Sequence, residues 1–219
     1  MKRLEIIYED NSCVVINKPA GLPVQGGKGV GISLDGILSG WSQRPFLVHR
    51  LDKDTSGIIL VAKTREAAAA YSRLMGRGIK RYLAICKGRP DREEGDICLD
   101  LVIRGNVKKS QTHYRLLSSF GEGAFSLLEL ELGTGRMHQI RRHLALTGNP
   151  VLGDDKYGDF ALNRRLRKTM KLKRLLLHAS RLIIPETPDG LRLDITSPAP
   201  EIFRQFSANS SLFTSFSPD

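Results

Sequence analysis

The feature that most restricts the fold is a series of short apolar runs of strand length, separated by turn residues, with few helical stretches between them. Thr64, Glu66 and the alanines that follow predict a helix beginning at Thr64, and further helices are predicted over 137–146 and 201–206. Consecutive strands with few intervening helices favour an α+β fold, with a mixed, largely antiparallel central sheet and flanking helices and loops. Strands are predicted at 4–8, 13–16, 46–48, 58–61, 82–86, 97–103, 112–117, 125–132, 175–184 and 191–195.

The length of 219 residues suits one compact domain. We expect residues 1–207 to form that domain and the serine-rich segment 208–219 to be a flexible tail. No apolar run approaches the roughly 20 residues that span a bilayer, and the N-terminus lacks a signal-peptide core. Three cysteines without paired spacing are typical of reduced thiols, so a cytoplasmic protein is expected.

The charge balance indicates a polyanionic partner. Lys and Arg total 34 against 23 Asp and Glu, which gives a net charge of +11. The densest basic stretch contains no acid, whereas a merely solvated face mixes both signs. An anionic membrane surface fits the charge less well than nucleic acid, because Trp is scarce and no strongly apolar face accompanies the basic residues. That stretch comprises Arg164, Arg165, Arg167, Lys168, Lys171, Lys173 and Arg174.

Several common site types are excluded by spacing. The glycine-rich segment 21–31 lacks a phosphate-loop pattern, since Lys28 is followed by Gly29 rather than Ser or Thr, and it lacks the G-x-G-x-x-G spacing. His138 and His143 are five residues apart, not the four of a zinc-protease helix. We therefore expect neither a metal nor a nucleotide cofactor.

The segment 48–57 places acids, bases and hydroxyls on a loop between two predicted strands. Asp52 and Asp54 have cationic neighbours in Arg50 and Lys53. Residues on such a loop can be presented to a substrate by a rigid scaffold. On composition alone, a solvated, capped turn is the favoured interpretation.

The segment 133–144 combines a glycine turn with a basic helix. Ile140 and Leu144 share an inward face by their spacing, with Met137 alongside, and Arg141 lies next to that face. Arg141 could thus direct a guanidinium into a cleft, although exposed basic helices also bind phosphate without specificity. Tyr82, at the entry of a strand, could stack on a base or simply pack in the sheet.

Taken together, these segments make the sequence similar to the RluA-type pseudouridine synthase family. The His-Arg-Leu-Asp…Thr-Ser-Gly block is the most specific part of the match, and the blocks cover nearly the whole chain in the family's order. The matching blocks are residues 17–21, 49–57, 80–82, 135–143, 153–158 and 177–179. Two departures stand out: Met137 stands where many members have a small hydroxyl residue, and we do not expect before Met1 the S4-like RNA-binding module that many relatives carry. Target recognition is then expected to rest on the catalytic domain or on a missing segment.

The resemblance implies a mixed α/β catalytic domain around a long antiparallel sheet. It also implies isomerisation of uridine to pseudouridine in RNA without cofactor or metal. Asp52 matches the catalytic aspartate, Tyr82 the tyrosine that packs against the base, and Arg141 the basic partner of the aspartate. Arg50 matches a residue that helps fill the gap left by the flipped nucleotide. RNA contacts are expected from Arg50, Arg136, His138, Gln139, Arg164, Arg165, Arg167 and Lys168.

Large-subunit (23S) ribosomal RNA is the favoured substrate, because segments 23–27 and 158–164 resemble members with that target. The alternatives are a transfer-RNA pseudouridine synthase and a non-catalytic RNA-binding or ribosome-assembly factor on the same fold. A membrane-surface protein is the weakest option. A monomer is expected.

Overall fold

The computed structural model describes residues 4–27, 29 and 31–208. It contains strands β1 (Glu5–Glu9), β2 (Cys13–Lys18), β3 (Phe46–Leu47), β4 (Ser56–Ala62), β5 (Ile79–Lys87), β6 (Glu94–Ile97), β7 (Leu101–Ile103), β8 (Asn106–Lys108), β9 (Thr112–Phe120), β10 (Phe125–Leu132), β11 (Leu177–Ile184) and β12 (Leu193–Thr196). The helices are α1 (Leu34–Leu38), α2 (Arg65–Leu74), α3 (Gln139–Leu146), α4 (Phe160–Thr169) and α5 (Glu201–Ala208).

The chain divides into two compact units. Among the described residues, the first comprises those up to Lys80 together with Ala179–Pro198, and the second comprises Arg81–His178 and residues 199–208. The predicted tail over 208–219 lies outside the described residues, apart from Ala208 at the end of α5.

In the first unit, β2 lies between β1 and β4, and β3 pairs with β4 while β12 pairs with β11, all antiparallel. Helix α2 packs on these strands through Ala67 and Tyr71, against a core that includes Val15 and Leu60. The Oγ1 of Thr64 accepts a hydrogen bond from the Ala67 N–H at 3.1 Å, so the predicted N-cap of this helix is confirmed.

In the second unit, β10 lies between β5 and β9, and β9 also pairs with β6, again antiparallel. A separate two-stranded sheet is formed by β7 and β8. Ile85 of β5 and Phe125 of β10 belong to a core cluster with Leu166 of α4 and Phe203 of α5. The predicted fold class, α+β with a largely antiparallel sheet, is confirmed.

The predictions for two elements and for one side chain are corrected. The strand predicted over 97–103 is the end of β6 and the whole of β7, separated by residues 98–100. The helix predicted over 137–146 begins at Gln139, because His138 adopts a left-handed conformation. Met137 is 54% exposed and does not join the inward face, whereas Ile140 and Leu144 are buried as predicted.

Helix α4 was not predicted, although Asp159 caps it by accepting from the Leu162 N–H at 2.9 Å.

No helix among the described residues is long and apolar enough to span a membrane. Cys13 and Cys86 are buried free thiols, and Cys98 is an exposed one.

Candidate active-site residues

Asp52 lies in the loop that joins β3 to β4 in the first unit. The loop is fixed near its start by His49, whose Nε2 accepts a hydrogen bond from the Leu60 N–H at 3.0 Å. Near its end, the Thr55 N–H donates to the Asp52 carbonyl at 3.2 Å. Leu51 and Thr55 are buried on either side of Asp52, which is itself partly exposed. These hydrogen bonds therefore fix the loop backbone that carries the Asp52 carboxylate.

His49 serves this loop as a neutral acceptor. Burial, with the nearby charge of Lys80, lowers the pKa of His49 to about 4. The unprotonated ring can accept the Leu60 N–H, whereas an imidazolium has no acceptor to offer.

Lys18 ties the Asp52 loop to the preceding segment. Its side chain is fully buried, and Nζ donates to the carbonyl oxygens of Pro19, Leu22 and Lys53 at 2.9, 2.8 and 2.9 Å. The Gly21 N–H donates to the same Lys53 oxygen at 3.0 Å. Because Lys53 directly follows Asp52, this buried ammonium fixes the backbone beside the candidate catalytic residue.

The glycine that ends the same motif is also explained. Gly57 has φ +106°, and a Cβ there would lie 2.2 Å from the carbonyl oxygen of Ala179. Only glycine fits this close backbone approach without strain.

In the second unit, Gln139 organises the turn before α3. Its Oε1 accepts from the Thr134 hydroxyl at 2.6 Å and the Arg136 N–H at 3.0 Å. Its Nε2 donates to the Gln111 carbonyl at 2.8 Å and to the Thr112 hydroxyl at 3.0 Å. The amide thus joins the turn to β9 from a position that is 3% exposed.

Arg141 projects from α3 into a buried ion pair. Its Nε and Nη2 donate to the two carboxylate oxygens of Asp154, both at 2.7 Å. Nη2 also reaches exposed Asp155 at 3.3 Å. Arg141 and Asp154 are 5% and 1% exposed, so the guanidinium is held rigidly in a fixed plane.

The surroundings of Asp154 keep its carboxylate ionised beside Arg141. Burial acts to raise the pKa of Asp154, but hydrogen bonds from Arg141 and from the Tyr157 and Lys156 N–H groups outweigh it, so the pKa is lowered. A Cβ at Gly158 would lie 2.4 Å from the Asp154 carbonyl oxygen, and one at Gly153 would lie 2.0 Å from that of Arg174. The Gly-Asp…Tyr-Gly block therefore forms a tight support for Arg141.

Tyr82 lies on β5, opposite Leu130 of β10, and is 9% exposed. It shares its unit with Arg141, whereas Asp52 and Arg50 belong to the first unit.

The residues expected to contact RNA differ in exposure. Arg50 and Arg136 are exposed, His138 is half-buried, and Gln139 is buried and engaged as described above. The four basic residues of α4 are exposed around the buried Leu166: Arg164, Arg165, Arg167 and Lys168. Among the residues that the structure covers, no group of His, Cys, Asp or Glu side chains is arranged to hold a metal ion.

Sequence reasoning missed Lys18 and Asp154 as supporting residues. Both lie in blocks that carry the family resemblance, but their type alone indicates surface charge. Their burial and their partners appear only in three dimensions.

Comparison with known proteins decides the family. The model described as RNA pseudouridylate synthase matches residues 12–146, more than half of the chain. The protein belongs to the RNA pseudouridylate synthase family. The resemblance stated from the motifs is confirmed, and the matched range includes Asp52, Tyr82 and Arg141.

Relatives of this pseudouridylate synthase cover most of its length. "Ribosomal large subunit pseudouridine synthase C" of Rickettsia bellii is 33% identical, over 91% of this chain and 70% of its own. "Ribosomal large subunit pseudouridine synthase D" of Nitrosomonas europaea is 37% identical, over 90% of this chain and 62% of its own. The solved structure of human RNA pseudouridylate synthase domain containing 1 is 27% identical with a TM-score of 0.76, over 91% of this chain and 84% of that one.

Proposed function

We propose that this pseudouridylate synthase isomerises specific uridines in large-subunit ribosomal RNA. The observation that carries the proposal is the likeness, over about nine-tenths of the chain, to relatives named for that activity. The net charge of +11 suits a ribosomal RNA substrate.

In the proposed reaction, the N1–C1′ bond of uridine breaks, the uracil turns, and a C5–C1′ bond forms. The C5 proton leaves and N1 gains a proton, so reactant and product contain the same atoms and no redox partner is needed. We propose Asp52 as the catalytic carboxylate. It acts either as a nucleophile towards the nucleoside or by removing a ribose proton while the base departs.

Arg141 is the proposed partner of that carboxylate during the reaction. A guanidinium near a carboxylate favours its ionised form and fixes its orientation. Support comes from the bidentate pair with Asp154, which holds the guanidinium plane in place. Tyr82 is proposed to pack against the uracil ring, which suits a tyrosine that a strand presents at low exposure.

The target base must leave its stack before it can react, at a cost of a few kcal/mol. We propose that Arg50 helps fill the gap and that Arg136 and His138 contact the RNA. Arg164, Arg165, Arg167 and Lys168 supply phosphate contacts in this proposal. Gln139, which is buried, supports the turn that carries Arg136 and His138 and acts on RNA binding through it.

The decisive experiment is tritium release from ribosomal and transfer RNA labelled at uridine C5. We expect release from ribosomal RNA, and a loss of at least about a thousandfold in Asp52→Asn, as is usual when a group central to chemistry is removed. Asp54→Asn is the matched control, since it removes a neighbouring carboxylate of the same loop and should keep activity. Undiminished release by Asp52→Asn would refute the assignment of Asp52.

The alternatives give different outcomes. Release from transfer RNA alone would establish a transfer-RNA synthase. Tight binding without release from either RNA, also in precursor ribosomal particles, would indicate a binding or assembly factor. Mapping of pseudouridines in cells that lack the protein would then identify the modified position.

We further propose that residues 1–207 act as one catalytic domain and that the protein works as a monomer in the cytoplasm. The match to residues 12–146 draws on both units, which supports a single catalytic entity. Light scattering of the full chain, with and without RNA, tests the monomer.

A further inference from the structure

Tyr157 contacts two groups that belong to the proposed site. Its hydroxyl is joined to Nδ1 of His138 by a 3.0 Å hydrogen bond, and the two rings meet edge to face with centroids 5.6 Å apart. The Cζ of Arg141 lies 5.3 Å from the centroid of the Tyr157 ring. One side chain thus touches both the turn before α3 and the buried guanidinium.

The backbone of Tyr157 is linked to the same ion pair. Its N–H donates to Oδ1 of Asp154 at 2.9 Å, and that oxygen also accepts from Nη2 of Arg141 at 2.7 Å. Movement of Tyr157 therefore changes both the cation–π contact and the hydrogen bonding of the carboxylate that holds Arg141.

His138 is held in an uncommon conformation. It has φ 53° and ψ 30°, and its side chain makes no capping hydrogen bond to α3. A left-handed non-glycine residue costs about 1–2 kcal/mol, so surrounding contacts must maintain it. The hydrogen bond to Tyr157 is such a contact, and the residues just before it, Arg136 and Met137, are exposed.

We propose that Tyr157 is a positioning residue that couples RNA contact at the 135–138 turn to the orientation of the Arg141 guanidinium. The inference rests on the proposed role of Arg141 in catalysis. RNA seated on the turn acts through His138 and the Tyr157 hydroxyl, and the tyrosine ring transmits the constraint to the guanidinium.

The test uses the full chain and a labelled ribosomal RNA transcript in single-turnover reactions, with Kd measured separately. Tyr157→Phe keeps the ring and removes only the hydroxyl, and we expect a loss of about tenfold in the single-turnover rate, the effect of one hydrogen bond. Tyr157→Leu also removes the ring from Arg141 and should lose more. His138→Gly keeps the left-handed backbone without the imidazole and should match Tyr157→Phe.

A spectroscopic readout separates this inference from the proposed function. The Arg141 Nε–H signal, assigned by its loss in Arg141→Lys, should shift in the Tyr157 variants and in His138→Gly. Tyr8→Phe is the matched control, because it removes a tyrosine hydroxyl bonded to Asp10 at 2.9 Å in the other unit. It should change neither the rate nor the signal.

Two results would overturn the coupling. One is a wild-type rate and an unshifted Arg141 signal in Tyr157→Phe. The other is full additivity of the rate losses in the Tyr157→Phe/His138→Gly double variant. Because both substitutions remove the same hydrogen bond, the double variant should lose its effect only once. If Arg141→Lys kept full activity, the catalytic role of Arg141 would fail, while the shift of the Nε–H signal would still report the coupling.

Discussion

The backbone of Gly57 passes so close to Ala179 that a Cβ at position 57 would lie 2.2 Å from the Ala179 carbonyl oxygen. Gly57 closes the motif that contains Asp52, and it pairs with Lys18 of the adjacent strand. The loop that carries the candidate catalytic carboxylate therefore ends at a close backbone contact that leaves no room for a side chain.

Gly57→Ala should strongly destabilise the protein. The new methyl group would meet backbone atoms at a φ of +106°, so we expect a loss of about 3 kcal/mol or more in the free energy of unfolding. Gly148→Ala is the matched control, since Gly148 has φ +84° with open space around it and should cost only about 1 kcal/mol. Urea denaturation measures both, and equal losses would show that the contact with Ala179 is unimportant.

Lys18→Met should weaken the Asp52 loop. The substitution keeps the length of the side chain but leaves three carbonyl oxygens without the ammonium, for an expected cost of about 2–4 kcal/mol. Lys53→Met is the control: the exposed Lys53 side chain is lost while its carbonyl remains, so stability should change by no more than about 0.5 kcal/mol. Denaturation curves that coincide for the two variants would contradict the role of Lys18.

Asp154→Asn should leave Arg141 buried without its counter-ion. We expect a loss of about 3–5 kcal/mol in stability at neutral pH, together with activity. Asp155→Asn is the control. The Asp155 side chain is 79% exposed, and its contact with the guanidinium is longer, at 3.3 Å. It should behave like the wild type.

The ion pair of Arg141 and Asp154 should also make the free energy of unfolding depend on pH in the acid range. The pKa of Asp154 is lowered from its ordinary 3.8, so the ionised carboxylate stabilises the folded state above that value. This stabilisation is lost as the pH falls through the folded-state pKa. The difference in unfolding free energy between wild type and Asp154→Asn should therefore shrink below about pH 4. A difference that stays constant with pH would show that the carboxylate charge is not what stabilises the pair.

His49 predicts a second pH dependence, in a higher range. Its pKa falls from 6.5 to about 4 on folding, so the stabilisation is complete above pH 6.5 and declines as pH drops towards 4. The effect should reach about 3 kcal/mol at most, at about 1.4 kcal/mol per pKa unit. His49→Gln can still accept the Leu60 N–H but does not titrate. Stability profiles that run parallel for the two proteins between pH 7 and 4 would refute this.

The basic face of α4 should determine part of the salt dependence of RNA binding. Replacing Arg164, Arg167 and Lys168 by Gln removes three exposed charges, which should flatten the slope of log K against log salt by about 2–3. The control replaces the exposed Arg65, Arg73 and Arg77 by Gln, which changes the net charge equally. Equal flattening in both triple variants would point to a diffuse electrostatic effect rather than to α4.

Local signals predicted the elements that local interactions form. Helix α2 followed from Thr64 and the alanine run, and β4 from an apolar run that is buried throughout. Helix α4 was missed because its basic residues outnumber its inward-facing ones, although Asp159 was an available cap signal. The break after Ile97 was missed because an apolar pattern continues through residues 98–103, and pairing partners rather than sequence set its end.

The site shows the same division. Motifs identified Asp52, Tyr82 and Arg141 as candidates, and those roles stay predictions. The support around them depends on contacts between distant segments, such as Lys18 with Lys53, or Arg141 with Asp154. A lysine at the end of a strand, or an aspartate in a turn, has the same sequence pattern whether it is solvated or buried.

Gln139 has one further consequence, which concerns chemical ageing. Its amide presents an acceptor to the turn and a donor to β9, and each end is used twice. Deamidation to glutamate would place a carboxylate oxygen against the carbonyl oxygen of Gln111, where two acceptors repel. Exchange of one amide for a carboxylate, with no change in side-chain size, would thus weaken the attachment of the turn to β9. Because this amide is only 3% exposed, water seldom reaches it to cause the reaction.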